Sequence, residues 1–211
     1  MNKRPKNALY IFRFPPSLFG YGRAGEKCSS GVENTPPDNI FMNDLVIKKR
    51  KPKEGEIDLL VNEIRETPFI VGLTKREWGN FCDIFVANIS GFLAGVCVVK
   101  NLSFNWVEIG PILVLKKYRG KNIGQNLFDQ AFDFAESKKK NIYIVSRNPV
   151  IVKWMEKRGM VLKNNLIGLP WPILWHDFVM VFSLFRIFEF LRKSFIFRKK
   201  SEYIYGYKLI K

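Results

Sequence analysis

Nine residues, Lys116 to Gly124, bring together four cations (Lys116, Lys117, Arg119 and Lys121) and two glycines, Gly120 and Gly124. Cationic side chains beside glycines that let the backbone approach closely suit an anion. The following residues give a second reason. Ile123, Leu127, Ala131 and Phe134 or Ala135 recur at spacings of three and four, the stripe of an amphipathic helix. A helix N-terminus presents free backbone N–H groups and about half a positive charge. A phosphate is therefore the natural guest. Taken by itself, the stretch is equally an ordinary strand–loop–helix connection with solvated lysines.

The loop has to be held by its neighbours. Residues 109–115 are apolar enough for a buried strand, but Gly110 and Pro111 lie inside it. Proline supplies no ladder donor, so a bulge or a strand edge is expected there. Upstream, Leu45 to Ile47 reads as a short strand. Ile57, Leu60, Val61 and Ile64 mark a helix, and Thr74 to Glu77 form a capping box that opens a second one. Residues 84–87 and 92–99 read as strands joined by a hairpin at 88–91. Downstream, Ile142 to Ser146 is a compact strand. Asn148-Pro149 and Gly159 bound a helix as N-cap, first-turn proline and C-cap. Strands at 161–167 and 203–209 complete the order.

The run Arg119-Gly120-Lys121-Asn122-Ile123-Gly124 resembles the acetyl-coenzyme A motif of the GNAT superfamily of N-acetyltransferases, Arg/Gln-x-x-Gly-x-Gly/Ala. Asn122 stands where the family usually has its first glycine, and asparagine is the next best residue at positive φ. The element order resembles the GNAT order over residues 42–211, apart from an insert. Asn148 through Gly159-Met160 is similar to the family's Asn…Tyr-x-x-x-Gly-Phe segment. The fold implied is α/β, a GNAT-like mixed central sheet flanked by helices, with an extra apolar helix inserted before the last strand.

The resemblance also implies a site. Acetyl-CoA would lie in a wedge between the Pro111 strand and the Ile142 strand. Main-chain atoms of Ile112, Leu113 and Val114 would bond the pantetheine arm. The amides of Arg119, Gly120, Lys121, Asn122, Ile123 and Gly124 would wrap the pyrophosphate. Asn148 would sit near the pantetheine or serve only as an N-cap. Acetyl transfer to an amine needs a base for the acceptor and an acid for the leaving thiolate. Glu108, eleven residues before Arg119, holds the offset of the general base in the family's histone-acetylating branch, or is a surface carboxylate at a strand end. The family's usual acid, a tyrosine, is replaced by Met155, which cannot donate a proton; Tyr143 and Tyr118 are the substitutes.

Bulk properties narrow the partners. The 211 residues carry a net charge of +16, spread as +7 over residues 1–53, +3 over 54–185 and +6 over 186–211. A nearly balanced middle argues against nucleic acid as the direct target, since a nucleic-acid reader carries the charge on its core. Basic ends disfavour a polycationic acceptor and suit acidic peptides or amines on RNA-bound or ribosomal targets. The acceptor is an amine on a small molecule or a protein. Three scattered cysteines and a single histidine, His176, offer neither a disulfide framework nor a metal site. No metal is expected, a cytoplasmic location is, and His176, in an aromatic-rich segment, reads as structural.

Two segments stand apart. Residues 1–41, rich in Pro, Gly and Ser, read as a disordered extension, and Met42 is itself a natural start. Residues 169–200 read as an apolar helix beyond the interruptions Pro170 and Pro172. Ser183, Arg186, Glu189 and Lys193 form its narrow polar stripe, with Glu189 and Lys193 placed as an i, i+4 pair. So wide an apolar face needs covering. The domain or a homodimer partner, a membrane surface touched peripherally, and a lid role over the acceptor site remain open. The charges at 177, 186 and 189 argue against a membrane span.

Overall fold

The computed structural model describes residues 44–70, 72–181, 188, 191–193, 195–196 and 202–210. The extension expected at 1–41 and the start at Met42 lie outside the described residues. The elements run β1 (Leu45–Lys49), α1 (Glu54–Glu66), α2 (Lys75–Asn80), β2 (Asp83–Ile89), β3 (Phe92–Asn101) and β4 (Trp106–Val114). They continue as α3 (Ile123–Ser137), β5 (Asn141–Ser146), α4 (Pro149–Lys157), β6 (Val161–Lys163), α5 (Trp171–Val181) and β7 (Ile204–Lys208). The strands form one sheet in the order β1-β2-β3-β4-β5-β7-β6. The β4–β5 pair is parallel and the other pairs are antiparallel. The architecture is the mixed, helix-flanked α/β sheet expected from the sequence.

Local chemistry accounts for most boundaries. The Thr74 hydroxyl accepts from the Glu77 amide at 3.3 Å while Glu77 accepts from the Thr74 amide at 2.8 Å, the reciprocal box that starts α2. Asn148 Oδ1 accepts from the Val150 amide at 3.0 Å, with Pro149 in the first turn of α4. The β2–β3 hairpin is tighter than the sequence suggested. Ser90 (φ 50°) and Gly91 (φ 83°) both turn with positive φ, so two residues suffice and the strands reach Ile89 and Phe92.

The sheet separates two apolar clusters where it matters for the site. On one side α3 buries Ile123, Leu127, Phe128, Ala131, Phe132 and Ala135, together with Ile142 and Ile144 of β5 and Met155 of α4. Alternation along a strand sends the next residues the other way. Trp106 and Tyr143 therefore pack with Leu169 and Ile173 of the insert, against Tyr205 and Tyr207 of β7.

The insert departs from expectation. Pro170 and Pro172 do not interrupt it: α5 starts at Trp171, and the Pro170 carbonyl accepts from the amides of Ile173 (3.0 Å) and Leu174 (3.3 Å). First-turn residues have no intrahelical acceptor for their N–H groups, so proline costs nothing there. Ser183, Arg186 and Glu189 lie outside the described residues, and with them the pair Glu189–Lys193. Lys193 is not on a solvated stripe. It is buried, and its Nζ donates to the carbonyls of Ile64 (2.5 Å), Thr67 (2.8 Å) and Ile70 (2.5 Å) at the C-terminal end of α1. A cation there satisfies carbonyls the helix leaves open and complements its dipole.

Candidate active site

The central feature is an incomplete strand pair. Parallel pairing of β4 with β5 covers Trp106↔Asn141, Val107↔Ile142 and Glu108↔Tyr143, and none is present beyond Glu108 among the described residues. The Gly110–Pro111 step follows at once, with a register shift against β3 between Cys97 and Val99. The bulge the sequence called for thus lies where β4 leaves its neighbour. The β3 ladder shows which main-chain groups face the gap. The Leu115 amide bonds the Ala94 carbonyl at 2.9 Å. In an antiparallel pair alternate residues bond the partner, so Leu113 is engaged with β3. Ile112 and Val114 turn their N–H and C=O groups toward β5, the Val114 carbonyl accepting there from Arg119 Nε. Of the three residues expected to offer backbone contacts, these two face the gap and Leu113 faces β3.

The gap opens into a cleft of about 660 Å³. One end is walled by Arg119, Gly120, Asn122, Ile123 and Gly124; the sides by Pro111 to Val114, Ile144 to Ser146, Asn148 and Trp154. Lys100, Glu108, His176 and Tyr203 also border it. Lys121 stands outside this lining. Asn122 occupies the left-handed region (φ 54°, ψ 8°), as its place in the glycine pattern requires, and Gly120 does so too (φ 80°). The turn leaves the first amides of α3 facing the cleft. The Arg119 side chain is already engaged, through Nε to the Val114 carbonyl at 3.0 Å and through its guanidinium to Glu63. It holds the loop against α1, so this side chain is not free to reach into the cleft. A Cβ on Gly124 would come within 3.3 Å of the Trp154 ring and 3.4 Å of Val114 Cγ2, so glycine keeps the mouth of the wedge open.

The ionisable groups lie on one row of the sheet. Register sets Lys100 opposite Glu108, and Glu108 beside Tyr143. Glu108 Oε2 accepts from Lys100 Nζ at 3.0 Å and lies 3.1 Å from His176 Nε2. Burial pushes this carboxyl up, but the Lys100 charge and the His176 contact outweigh it and hold the group down at about 2. A carboxylate so paired is a weak proton acceptor, which alters the role expected of Glu108. Tyr143 is fully buried in the cluster beneath α5 and is absent from the cleft wall. Its alternation with Ile142 and Ile144 sends it under the inserted helix, so its candidacy as the acid fails on position. Met155 is also fully buried, its sulfur so near β7 that a Cβ on Gly206 would lie 2.6 Å from it. Tyr118 does reach the cleft, and its hydroxyl is buried without a partner among the described residues. Burial raises its pKa and that of Tyr203.

Residues 55–160 match the Acetyltransferase (GNAT) family. The chain belongs to that family. Solved structures agree at the level of fold. N-acetylglutamate synthase from Neisseria gonorrhoeae, complexed with coenzyme A and N-acetyl-glutamate, superposes with a TM-score of 0.55 at 16% identity, over 77% of this chain and 35% of that one. This chain thus spans about a third of the synthase. A GNAT-family acetyltransferase from Streptococcus pneumoniae gives 0.53 at 17% identity, over 80% and 100% of the two chains. The ribosomal-protein-S18-alanine N-acetyltransferase from Escherichia coli gives 0.52 at 10%, over 79% and 95%. No curated protein matches.

Against the GNAT pattern, sequence reasoning missed three cleft residues: His176, Tyr203 and Trp154. His176 had one signal, being the sole histidine, but no spacing rule ties position 176 to position 108. Tyr203 borders the cleft just before β7, with the Arg147 guanidinium 4.5 Å from its ring centroid. Among the described residues no group of three His, Cys, Asp or Glu side chains could hold a metal ion, and no helix is long and apolar enough to cross a membrane.

Proposed function

We propose that this chain is an acetyl-CoA-dependent N-acetyltransferase acting on a primary amine, within a domain formed by residues 42–211. The observation that carries the reading is the β4–β5 splay, which turns the main chain of Ile112 and Val114 into a cleft ending at the N-terminus of α3. An extended amide-bearing arm can pair with such an open strand edge, and a pyrophosphate suits the amides beyond it. The unpartnered Tyr118 hydroxyl and the room left by Gly124 fit the same guest.

Acetyl-CoA supplies the activated acyl group. The chain's part is to hold the thioester along β4, admit the amine beside Lys100 and Glu108, and manage two protons. The C–N bond forms as the C–S bond breaks; the amine gives up a proton and the thiolate takes one. Tyr203 and Tyr118, both kept protonated by burial, line the cleft and are the candidates to protonate the thiolate, Tyr203 ahead of the wholly enclosed Tyr118. The cytoplasm is the proposed location.

The test combines purified chain, acetyl-CoA and a panel of amino acids, peptides and diamines, with release of free thiol as readout. Turnover on at least one amine is expected. Acetyl-CoA binding without turnover on any of them would instead favour a non-catalytic acyl-CoA-binding module, a reading to which the burial of Met155 lends weight.

A further inference from the structure

We propose that His176, carried to the cleft by the inserted helix α5 and oriented by Glu108, is the base that takes the proton from the acceptor amine. The proposal rests on the acetyltransferase reading above and assigns the insert a part in the chemistry.

Geometry comes first. Ile173 is fully buried in the cluster formed with Trp106, Tyr143 and Leu169, which fixes α5 on the sheet. His176 follows it by three residues and so lies on the same side of the helix. Its ring borders the cleft with 22% of the side chain exposed, enough to meet a ligand. Glu108 lies on the row that faces α5, and the 3.1 Å contact joins the two.

Proton placement follows from the partner. An ionised carboxylate only accepts hydrogen bonds, so the nitrogen facing it, Nε2, carries the hydrogen and the lone pair falls on Nδ1. Nδ1 has no hydrogen-bond partner among the described residues. Glu108 itself is poorly suited to the task, since the same oxygen also accepts from Lys100. Its charge is better used to steady the imidazolium that forms as the amine is deprotonated, as a buried acid does for a catalytic histidine. Glu108 is thus a positioning residue. The groups facing the ring region from the sheet are Lys100 of β3, Glu108 of β4, Tyr143 of β5 and Tyr205 and Tyr207 of β7. Lys100 opposes protonation of the ring and Glu108 favours it, while the tyrosines stay neutral near neutral pH. In the step itself the amine nitrogen bonds the acyl carbon, the C–S bond breaks, the amine proton passes to Nδ1, and the thiolate takes its proton from a tyrosine or from water.

A single histidine makes the test direct. In chain labelled with ¹⁵N-histidine, free and with coenzyme A, the one imidazole should show the Nε2–H tautomer with an unprotonated Nδ1 at the pH of turnover. A ring protonated on both nitrogens at that pH, or in the Nδ1–H tautomer, overturns the proposal and leaves a structural ion pair. With the best amine of the panel, H176Q that folds as wild type should lose roughly 10²- to 10⁴-fold in kcat, together with the acidic limb of the rate profile. Undiminished turnover or an unchanged profile overturns it as well. Failure of the wild-type chain to bind acetyl-CoA contradicts the cleft's assignment instead, because the tautomer is also read in the free chain.

Discussion

Replacing Glu108 by glutamine measures what the charge at the apex of the cleft contributes. Burial would raise this carboxyl, yet Lys100 and His176 bring it from 4.5 down to about 2. At about 1.4 kcal/mol per unit of pKa, the displacement is worth roughly 3 kcal/mol. Because the folded value lies below the unfolded one, the native chain binds fewer protons than the unfolded chain in this window. The contribution is complete above 4.5 and is lost as the pH falls through about 2. Glutamine keeps the shape but leaves the Lys100 ammonium, only 15% exposed, without its carboxylate. Breaking a buried pair on one side costs about 3–5 kcal/mol, the same order. Urea titrations of both proteins at a series of pH values are the assay. E108Q should be less stable by roughly 3 kcal/mol near pH 7, and the gap should narrow below about 4.5 and close as the pH falls through about 2, where protonated Glu108 comes to resemble glutamine. A gap that stays constant over that range refutes the ion-pair argument.

Three further outcomes follow from single contacts. Tyr118→Phe removes a buried hydroxyl that has no partner among the described residues, so thermal stability should hold or rise while acetyl-CoA affinity falls about five- to tenfold by calorimetry; a lower Tm with unchanged affinity would contradict this. Met155→Tyr restores the family's usual residue in a fully buried position pressed against Gly206, so it should lower stability by about 1–3 kcal/mol in denaturant titrations without raising turnover. Lys193→Met leaves the carbonyls of Ile64, Thr67 and Ile70 without their donor and should cost about 2–4 kcal/mol, with faster amide exchange at the end of α1.

The cofactor end of the site was legible because its chemistry is local. Gly120, Asn122 and Gly124 announce a left-handed turn and a close approach, and Pro111 announces a break in a ladder, each within a few residues of sequence. Capping residues marked α2 and α4 in the same way. Apart from Glu108, the ionisable cluster at the other end of the cleft was not legible, because it is made by register. Lys100, Glu108 and His176 come from β3, β4 and α5, and only strand pairing and the docking of Ile173 bring them together. The same limit misplaced Tyr143: its side of the sheet depends on alternation relative to Ile142, which the motif does not state. Lys193 was read only as part of a polar stripe because a helix read alone shows no sign of the α1 terminus it caps.

The central claim is that the wedge between β4 and β5, kept open by Gly124 at the start of α3, holds acetyl-CoA. Isothermal titration of acetyl-CoA into the wild-type chain and a folded Gly124→Glu variant tests it most directly. The substitution would place a side chain where even a Cβ meets Trp154 at 3.3 Å, and would add a negative charge where phosphate is to bind. Binding to the wild type with a loss of at least about a hundredfold, roughly 2.7 kcal/mol, in the variant is the predicted result. Equal affinity in both, or no binding to either, contradicts it.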